Sequence, residues 1–440
     1  MLRALRHGYD IGKFMQLRKT IPAIALGVVS LAVPIAASAG TGTSTSGPSI
    51  EATATDSSQV ESATLTDING KPSGALSVKA APNAAPKTAP KTAPKATAQS
   101  EQSEKVFSTG KLTGEEFSSI GLSWKKDSAV DSGLTAETRI HRDGAWGPWQ
   151  NVPLGLDDGV AEEAKRAGAP AFYTDDADGA EVRLTSPEGS LPQDLKLSFI
   201  DPAQTPAASA SERRPHSTQP GQPDVKLRKD WGADESLADP GYKTQPSIKA
   251  ALVHHTVTGN NSYTQEQVPQ IINGIYVQHI TVLGYGDFPY HFVVDRFGGI
   301  WEGRKGSVEM RPGTEIPAVL GGHASGFNTN TFGVAMLGNF EPNNSEGGED
   351  TGPDPKPTEA MTTSLADLLA WKVGQYQLAP EGTTQLVSAG GGGTNPHPTG
   401  TVLDVPVISS HKDVNVTACP GAKLYETLPE LRKQVADRLS

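Results

Sequence analysis

Residues 40–104 limit what this chain can fold into. The segment consists mainly of Ala, Thr, Ser, Pro and Lys, and residues 85–95 repeat a Pro-Lys-Thr-Ala unit. Such a composition cannot bury enough apolar surface to offset the entropy lost on folding, so we expect a disordered, extended tether. Residues 203–224, rich in Pro, Ser, Ala and Gln, predict a second linker. Packed structure is therefore expected only in residues 105–202 and 225–440.

The N-terminus has the features of an export signal. Five basic side chains precede an apolar run over residues 21–37, and Ala37-Ser38-Ala39 has the small-x-small form of a cleavage site. The basic residues are Arg3, Arg6, Lys13, Arg18 and Lys19. Residues 1–39 are interpreted as a signal peptide, and the protein is expected to be secreted. The alternative is a membrane anchor, but Pro22 and Pro34 interrupt a run that is already shorter than a typical span.

Charge and cysteine content exclude several classes of protein. Acidic residues outnumber basic ones by 49 to 38, giving a net charge of −11, so nucleic acid is not an expected partner. The single cysteine, Cys419, excludes an intramolecular disulfide, a four-cysteine zinc site and a CxxC redox pair. The tether lysines either contact anionic cell-wall polymers or only keep a spacer solvated. We expect a monomer.

Residues 105–202 predict a small β-rich accessory domain. Asp143-Gly144 is a hairpin turn signal. The strand-like segments are residues 117–124, 136–140, 181–184 and 195–200. Trp146 and Trp149 either stack on sugar rings or pack within the domain, and we favour packing.

Residues 225–440 predict an α/β domain with a mixed sheet flanked by helices. This region holds seven of the ten histidines and the cysteine. Strands are predicted at residues 250–257, 290–296, 300–303 and 332–337, the middle two forming a hairpin. Helical spacing follows a capping-box pattern at Thr264 and Gln267, and recurs in residues 365–373 and 424–439. Surface loops are expected at residues 341–357 and 389–400.

One spacing in this region suggests a metal site. His411 and Cys419 are eight residues apart, and an imidazole and a thiolate both suit Zn²⁺. The pair His254-His255 at a strand end is a source for a third ligand, and only one of the two should bind because neighbours on a strand face opposite ways. From the residue types alone, a buried structural cysteine and a surface histidine remain as alternatives.

The C-terminal half resembles a known family. Its motifs are similar to those of the zinc-dependent N-acetylmuramoyl-L-alanine amidases related to peptidoglycan recognition proteins and phage amidase lysozymes. The matching segments are residues 228–233, 253–256, 289–295, 300–304, 322–328, 332–340 and 411–421. They cover about half of the chain in the family's order. The signal, tether and β-rich region are similar, less specifically, to the N-terminal half of secreted actinobacterial members.

The resemblance implies an activity and a set of residues. It implies a secreted, cell-wall-associated zinc hydrolase that cleaves the amide bond between the lactyl group of N-acetylmuramic acid and L-alanine in peptidoglycan. It implies His254, His411 and Cys419 as zinc ligands, with Zn²⁺ as the cofactor. It also implies catalytic roles for Tyr290, as a donor to the carbonyl oxygen, and for Thr417, which stands where phage members have a lysine.

Four further residues are candidates for substrate binding: His255, His279, His323 and Asn328. The alternative for His255 is a residue that is packed or hydrogen-bonded near the ligands. His323 and Asn328 lie in a segment that lines the substrate groove in the family, and the alternatives are a loop histidine and a turn asparagine. His279 is otherwise a core histidine, and His291 is expected to be structural. Competing functions are a module that recognises peptidoglycan without cutting it, and an effector or a partner of another wall enzyme. A metalloprotease is not expected, because no His-Glu-x-x-His motif is present.

Overall fold

The structure, a computed structural model, describes residues 52–53, 60–64, 105–131, 133–154, 163–202, 221–258, 261–342 and 355–440. The predicted signal peptide, and almost all of both the tether and the second linker, lie outside the described residues. The tether prediction is wrong for residues 52–53 and 60–64, which form two paired strands of the N-terminal sheet. The described residues form one large antiparallel sheet, mainly from residues 105–202, and one mixed sheet flanked by helices from residues 225–440. This confirms the predicted fold class of these two regions. Within these residues, no helix has the length and apolar character needed to cross a bilayer.

The N-terminal sheet has ten strands, all paired antiparallel. The strands are β1 (Ala52–Thr53), β2 (Val60–Thr64), β3 (Lys105–Ser108), β4 (Leu112–Lys125), β5 (Thr135–Arg142), β6 (Ala145–Trp146), β7 (Gln150–Val152), β8 (Arg166–Gly168), β9 (Phe172–Ser186) and β10 (Lys196–Ile200). Strands β4 and β9 are the longest and form the centre of the sheet. The buried core includes Phe117, Leu122, Val182 and Leu197.

The predicted hairpin at Asp143-Gly144 is confirmed. Both residues have positive φ, 52° and 75°, as a two-residue turn between right-twisted strands requires, and β5 pairs with β6 around them. Trp149 follows the hairpin and is half-buried, with the guanidinium groups of Arg139 and Arg183 lying 5.0 and 4.2 Å from its ring centroid. These contacts agree with the packing interpretation of this tryptophan.

The strands of the C-terminal region are β11 (Val225–Lys226), β12 (Ala250–His255), β13 (Phe292–Val294), β14 (Ile300–Glu302), β15 (Thr331–Met336), β16 (Thr383–Val387), β17 (Val402–Pro406) and β18 (Ile408–Ser410). Strands β16 and β17 form a separate hairpin. The other six described strands form one sheet in the order β11-β14-β13-β15-β12-β18, in which the β13–β14 pair is antiparallel and the remaining pairs are parallel. The helices are α1 (Val268–Val277), α2 (Glu359–Gln375), α3 (Ala422–Tyr425) and α4 (Leu428–Leu439). A π-helical turn, Gln278–Val282, extends α1.

Burial on both faces of the sheet explains its continuous apolar strands. All six residues of β12 are buried. One face packs against α2 and α4 in a cluster that includes Val253 and Leu365, and α1 covers the other face. Helix α2 begins after Thr358, whose hydroxyl accepts a hydrogen bond from the Met361 amide. The sequence did not predict the β16–β17 hairpin, whose residues alternate weakly and whose faces are mostly exposed.

The two sheet regions are joined by specific contacts. The Thr258 hydroxyl donates to the Ala171 carbonyl at 2.8 Å, and the Gln278 amide donates to the Ala169 carbonyl at 3.1 Å. The guanidinium of Arg304 forms a bidentate pair with Glu163, with both N–O distances at 3.0 Å. Residues 163–171 of the β-rich region therefore lie directly against the α/β domain.

Replacing Glu163 tests this interface between the two sheet regions. The Arg304 side chain is only 7% exposed, so Glu163→Gln leaves a buried guanidinium with weakened pairing. We expect the free energy of unfolding to fall by about 1–3 kcal/mol, measured by urea denaturation of the full chain. Glu188→Gln, an exposed glutamate of the same region, serves as the matched control and should change it by less than about 0.5 kcal/mol. Equal stability of the two variants would contradict the importance of the pair.

Candidate metal centre

Three potential metal ligands meet at one edge of the C-terminal sheet. His254 lies near the end of β12, and His411 directly follows β18, which pairs in parallel with β12. Because parallel strands end at the same edge of a sheet, the two imidazoles come together there. Cys419 joins them, and the ligand atoms of the three residues lie within 4.8 Å of one another. All three side chains are buried.

The loop from His411 to Cys419 is held by local hydrogen bonds. Its first turn is capped by Asp413, whose carboxylate accepts from the Ser410 amide and hydroxyl at 2.8 and 2.9 Å. The Lys412 amide then donates to the Cys419 carbonyl at 3.1 Å, which closes the loop. The Thr417 hydroxyl accepts from the Cys419 amide at 2.9 Å. These bonds place the thiol of Cys419 next to His411.

The donor set fits a zinc ion. Both ring nitrogens of His411 are buried and make no hydrogen bond with any part of the chain that the structure describes. A buried nitrogen without a partner is costly, and coordination to a metal would satisfy one of the two. Two imidazoles and a thiolate suit Zn²⁺ better than Mg²⁺ or Ca²⁺, and three protein ligands leave a coordination position for a reactant.

His323 contacts His254, the first of the three candidate ligands. His323 Nδ1 lies 3.0 Å from His254 Nε2, while His254 Nδ1 lies 3.7 Å from Cys419 Sγ. His254 therefore presents one ring nitrogen to the ligand cluster and the other to His323. The sequence placed His323 near the substrate but gave no indication of this contact, because 69 residues separate the two histidines.

The two predicted catalytic residues lie beside the cluster. The Tyr290 ring centroid is 5.1 Å from that of His254, and Tyr290 lies two residues before β13, a neighbour of β15 in the sheet. Thr417 is half-buried, two residues before Cys419, with its hydroxyl on the Cys419 amide. Both residues therefore lie next to members of the candidate ligand cluster.

The remaining candidates lie outside the ligand cluster. His255 faces away from it, as neighbours on a strand should, and its Nδ1 accepts from the Phe340 amide at 3.4 Å. His279 is buried, and its Nδ1 donates to the Ile275 carbonyl at 2.8 Å. The Asn328 side-chain oxygen accepts from the amides of His323 and Ala324 at 2.7 and 3.0 Å, so Asn328 shapes this loop.

The expected structural histidine also has a clear place. His291 is fully buried; its Nε2 donates to the Val319 carbonyl at 2.9 Å, and its Nδ1 accepts from the Gly333 amide at 3.0 Å. Both ring nitrogens therefore bind backbone groups, which ties β15 to the loop at residue 319.

Burial keeps these histidines neutral. It is the largest cause lowering the pKa of His254 and His323 well below the usual value, and neighbouring histidines lower both further. Burial also lowers the pKa of four more rings: His255 and His291 to about 3, and His279 and His411 to about 4. Neutral imidazoles keep the lone pairs that a metal needs.

Comparison with known proteins gives two family matches. Residues 244–422 match the family described as N-acetylmuramoyl-L-alanine amidase, and residues 73–221 match a domain described as Rv3811 N-terminal galactose-binding domain-like. The chain is 28% identical over 187 residues to peptidoglycan-recognition protein SA of Drosophila melanogaster, covering 42% of this chain and 75% of that protein. It is 22% identical over 204 residues to peptidoglycan-recognition protein SC2 of Drosophila simulans, covering 46% and 84%. The family resemblance read from the sequence is confirmed.

Solved structures give similar matches. Drosophila peptidoglycan recognition protein SA is 24% identical, covering 47% of this chain and 91% of that one, with a TM-score of 0.33. The N-acetylmuramoyl-L-alanine amidase LysC from Clostridium intestinale is 22% identical, covering 48% and 97%, with a TM-score of 0.30.

The buried histidines predict acid sensitivity of the metal-free protein. Their pKa values are lower in the folded state than the value of about 6.5 in the unfolded chain, so below pH 6.5 the unfolded chain binds more protons. The contribution of these histidines to the free energy of unfolding is therefore fully present above about pH 6.5. It is lost as the pH falls toward their pKa values in the folded state. Between these two pKa values, each buried histidine lowers the free energy of unfolding by about 1.4 kcal/mol for every pH unit of acidification. Urea denaturation of chelator-treated protein at pH 7.5, 6.5 and 5.5 should show a steep loss.

A variant separates this effect from general acid denaturation. His279→Phe removes one of these rings without touching the ligand cluster, and its site is already lined by Tyr285, Phe288 and Tyr290. Its stability should fall less steeply between pH 6.5 and 5.5. A slope identical to that of the unmodified chain would show that His279 does not contribute.

Proposed function

We propose, from the membership of residues 244–422 in the N-acetylmuramoyl-L-alanine amidase family, that this chain is a secreted zinc hydrolase acting on peptidoglycan. The bond cleaved is the amide between the lactyl group of N-acetylmuramic acid and L-alanine. The observation that supports the proposal most directly is the cluster of His254, His411 and Cys419 with its unpartnered His411 nitrogens.

The side chains at the site have distinct tasks in this reaction. A zinc ion held by the three ligands would polarise the amide carbonyl and make water nucleophilic at neutral pH. Tyr290 lies beside His254, where its hydroxyl can donate to the carbonyl oxygen as negative charge develops there. The His255 backbone amide lies 3.5 Å from Cys419 Sγ, and such a donor stabilises a thiolate. Thr417 fixes the backbone of Cys419 through its hydroxyl.

The N-terminal half supports action outside the cell. The basic region, apolar run and Ala37-Ser38-Ala39 favour export, and the Pro-Lys-Thr-Ala tether would let the enzyme reach its substrate within a wall. Peptidoglycan as the ligand is supported by the relatives, which are named peptidoglycan-recognition proteins.

Recognition without cleavage is the second candidate function, because those relatives are named for recognition. The two candidates differ in one measurable way. An amidase releases a stem peptide with a free N-terminal alanine, whereas a recognition module binds the fragment and leaves it intact.

Mass spectrometry of muramyl-peptide fragments tests the choice. We expect the zinc-loaded full chain to release free stem peptide and lactyl-bearing sugar. Cys419→Ser, which replaces the thiolate ligand, should release neither. Intact fragments that remain bound to the zinc-loaded chain would favour recognition, and release by Cys419→Ser at the normal rate would remove this cysteine from the mechanism.

Tyr290→Phe tests the carbonyl donor. Loss of one donor to a developing oxyanion lowers kcat by about 10²–10³-fold. We expect that loss with little change in KM or in bound zinc, measured by fragment turnover and metal analysis. Tyr242→Phe, at an exposed tyrosine, is the matched control and should keep normal turnover. Normal turnover by Tyr290→Phe would exclude the hydroxyl from the reaction.

A further inference from the structure

The ring of His323 occupies a slot made by two glycines. A Cβ added at Gly333 would lie 2.5 Å from His323 Cγ, and one added at Gly321 would lie 2.5 Å from His323 Cδ2. Side-chain carbons do not approach other atoms this closely in folded proteins, so both positions must lack a side chain for the ring to fit. The Asn328 side chain also fixes the backbone of His323. This ring is therefore held in place from several directions.

The hydrogen bonds around the slot have a defined direction. The Thr331 hydroxyl donates its single hydrogen to the Phe327 carbonyl, at 2.6 Å, because a carbonyl can only accept. Its oxygen can then only accept from His323 Nε2, which lies 3.5 Å away. A neutral His323 with hydrogen on Nε2 has a bare Nδ1, and this nitrogen accepts from His254 Nε2 at 3.0 Å.

This direction sets the tautomer of His254. With its hydrogen on Nε2, a neutral His254 has a bare Nδ1, which is the nitrogen that lies 3.7 Å from Cys419 Sγ. The opposite tautomer would place a hydrogen on Nδ1 and block metal binding there. Metal-binding histidines usually donate their second nitrogen to a carboxylate, a carbonyl or water, and here the acceptor is another histidine.

We propose that His323 is a positioning residue of the metal centre: seated in the slot between Gly321 and Gly333, it accepts the Nε2 hydrogen of His254 and directs the Nδ1 lone pair toward Cys419. It acts through His254 and not on the substrate. The proposal rests on the metal site of the proposed function, but it concerns an arrangement that is present before any metal binds.

Nuclear magnetic resonance of the metal-free full chain tests the arrangement without any turnover. Nitrogen-15 shifts of the imidazoles distinguish the two neutral tautomers. We expect His254 to carry its hydrogen on Nε2, and His323→Leu to give a mixture of both forms. A hydrogen on Nδ1 of His254 in the unmodified chain would overturn the proposal, whatever the enzyme's activity.

Zinc affinity provides the second readout. His323→Leu removes the acceptor and should weaken zinc binding by about 10–100-fold, measured by competition with a chromophoric chelator. His323→Asn keeps an acceptor oxygen near the position of Nδ1 and should recover most of the affinity. Cobalt-loaded protein should show the same order, with the thiolate and d–d absorption bands altered in the Leu variant and near normal in the Asn variant.

His291→Leu is the matched control. His291 is buried, its ring centroid lies 5.6 Å from that of His323, and both of its ring nitrogens bind backbone groups. Its replacement should therefore lower the thermal midpoint but change the zinc affinity by no more than a few-fold. Equal zinc affinity for His323→Leu and the unmodified chain, or equal weakening by His291→Leu, would assign His323 a merely structural role. Failure of the unmodified chain to bind zinc would instead count against the proposed function. The tautomer measurement would still decide whether His323 orients His254.

Discussion

The parallel pairing of β12 with β15 on one side and β18 on the other is the constraint on which the rest of the site depends. Parallel strands end at a common edge, so this pairing places His254 next to His411 although they are far apart along the chain. A slip of one residue in β12 would turn His254 to the opposite face and bring His255 in its place. Because all six residues of β12 are buried, such a slip is strongly disfavoured.

The site combines satisfied and unsatisfied histidines. His291 and His323 have partners for both ring nitrogens, whereas those of His411 have none among the described residues. The hydrogen-bonded rings of His291 and His323 stabilise the loop and the strand around the ligand cluster. The ring of His411, which has no hydrogen-bond partner there, can offer a nitrogen lone pair to a metal ion. Burial of all these rings lowers their pKa and keeps them neutral, which favours metal binding at neutral pH and makes the metal-free centre vulnerable to acid.

The β-rich region contributes to the surroundings of the centre. Glu163 pairs with Arg304, and a Cβ at the neighbouring Gly322 would lie only 2.1 Å from the Glu163 carboxylate. Ala164 and Ala171 share an apolar cluster with Tyr290 and Phe288. Two sheet regions thus surround the candidate site, and the accessory region is packed on the α/β domain, unlike a domain that is joined only by a linker.

The sequence alone predicted the type of each sheet and the hairpin at Asp143-Gly144, because periodicity and turn chemistry are local properties. Through its spacing and its motifs it also named His254, His411 and Cys419 as candidate ligands, which the folded chain brings together. It did not determine the β16–β17 hairpin, whose pattern is weak, or the packing of residues 163–171 on the α/β domain. It also left His323 among the substrate candidates. Only the tertiary structure decided that its ring lies 3.0 Å from His254, because spacing along a chain does not fix the distance between segments that only the sheet brings together.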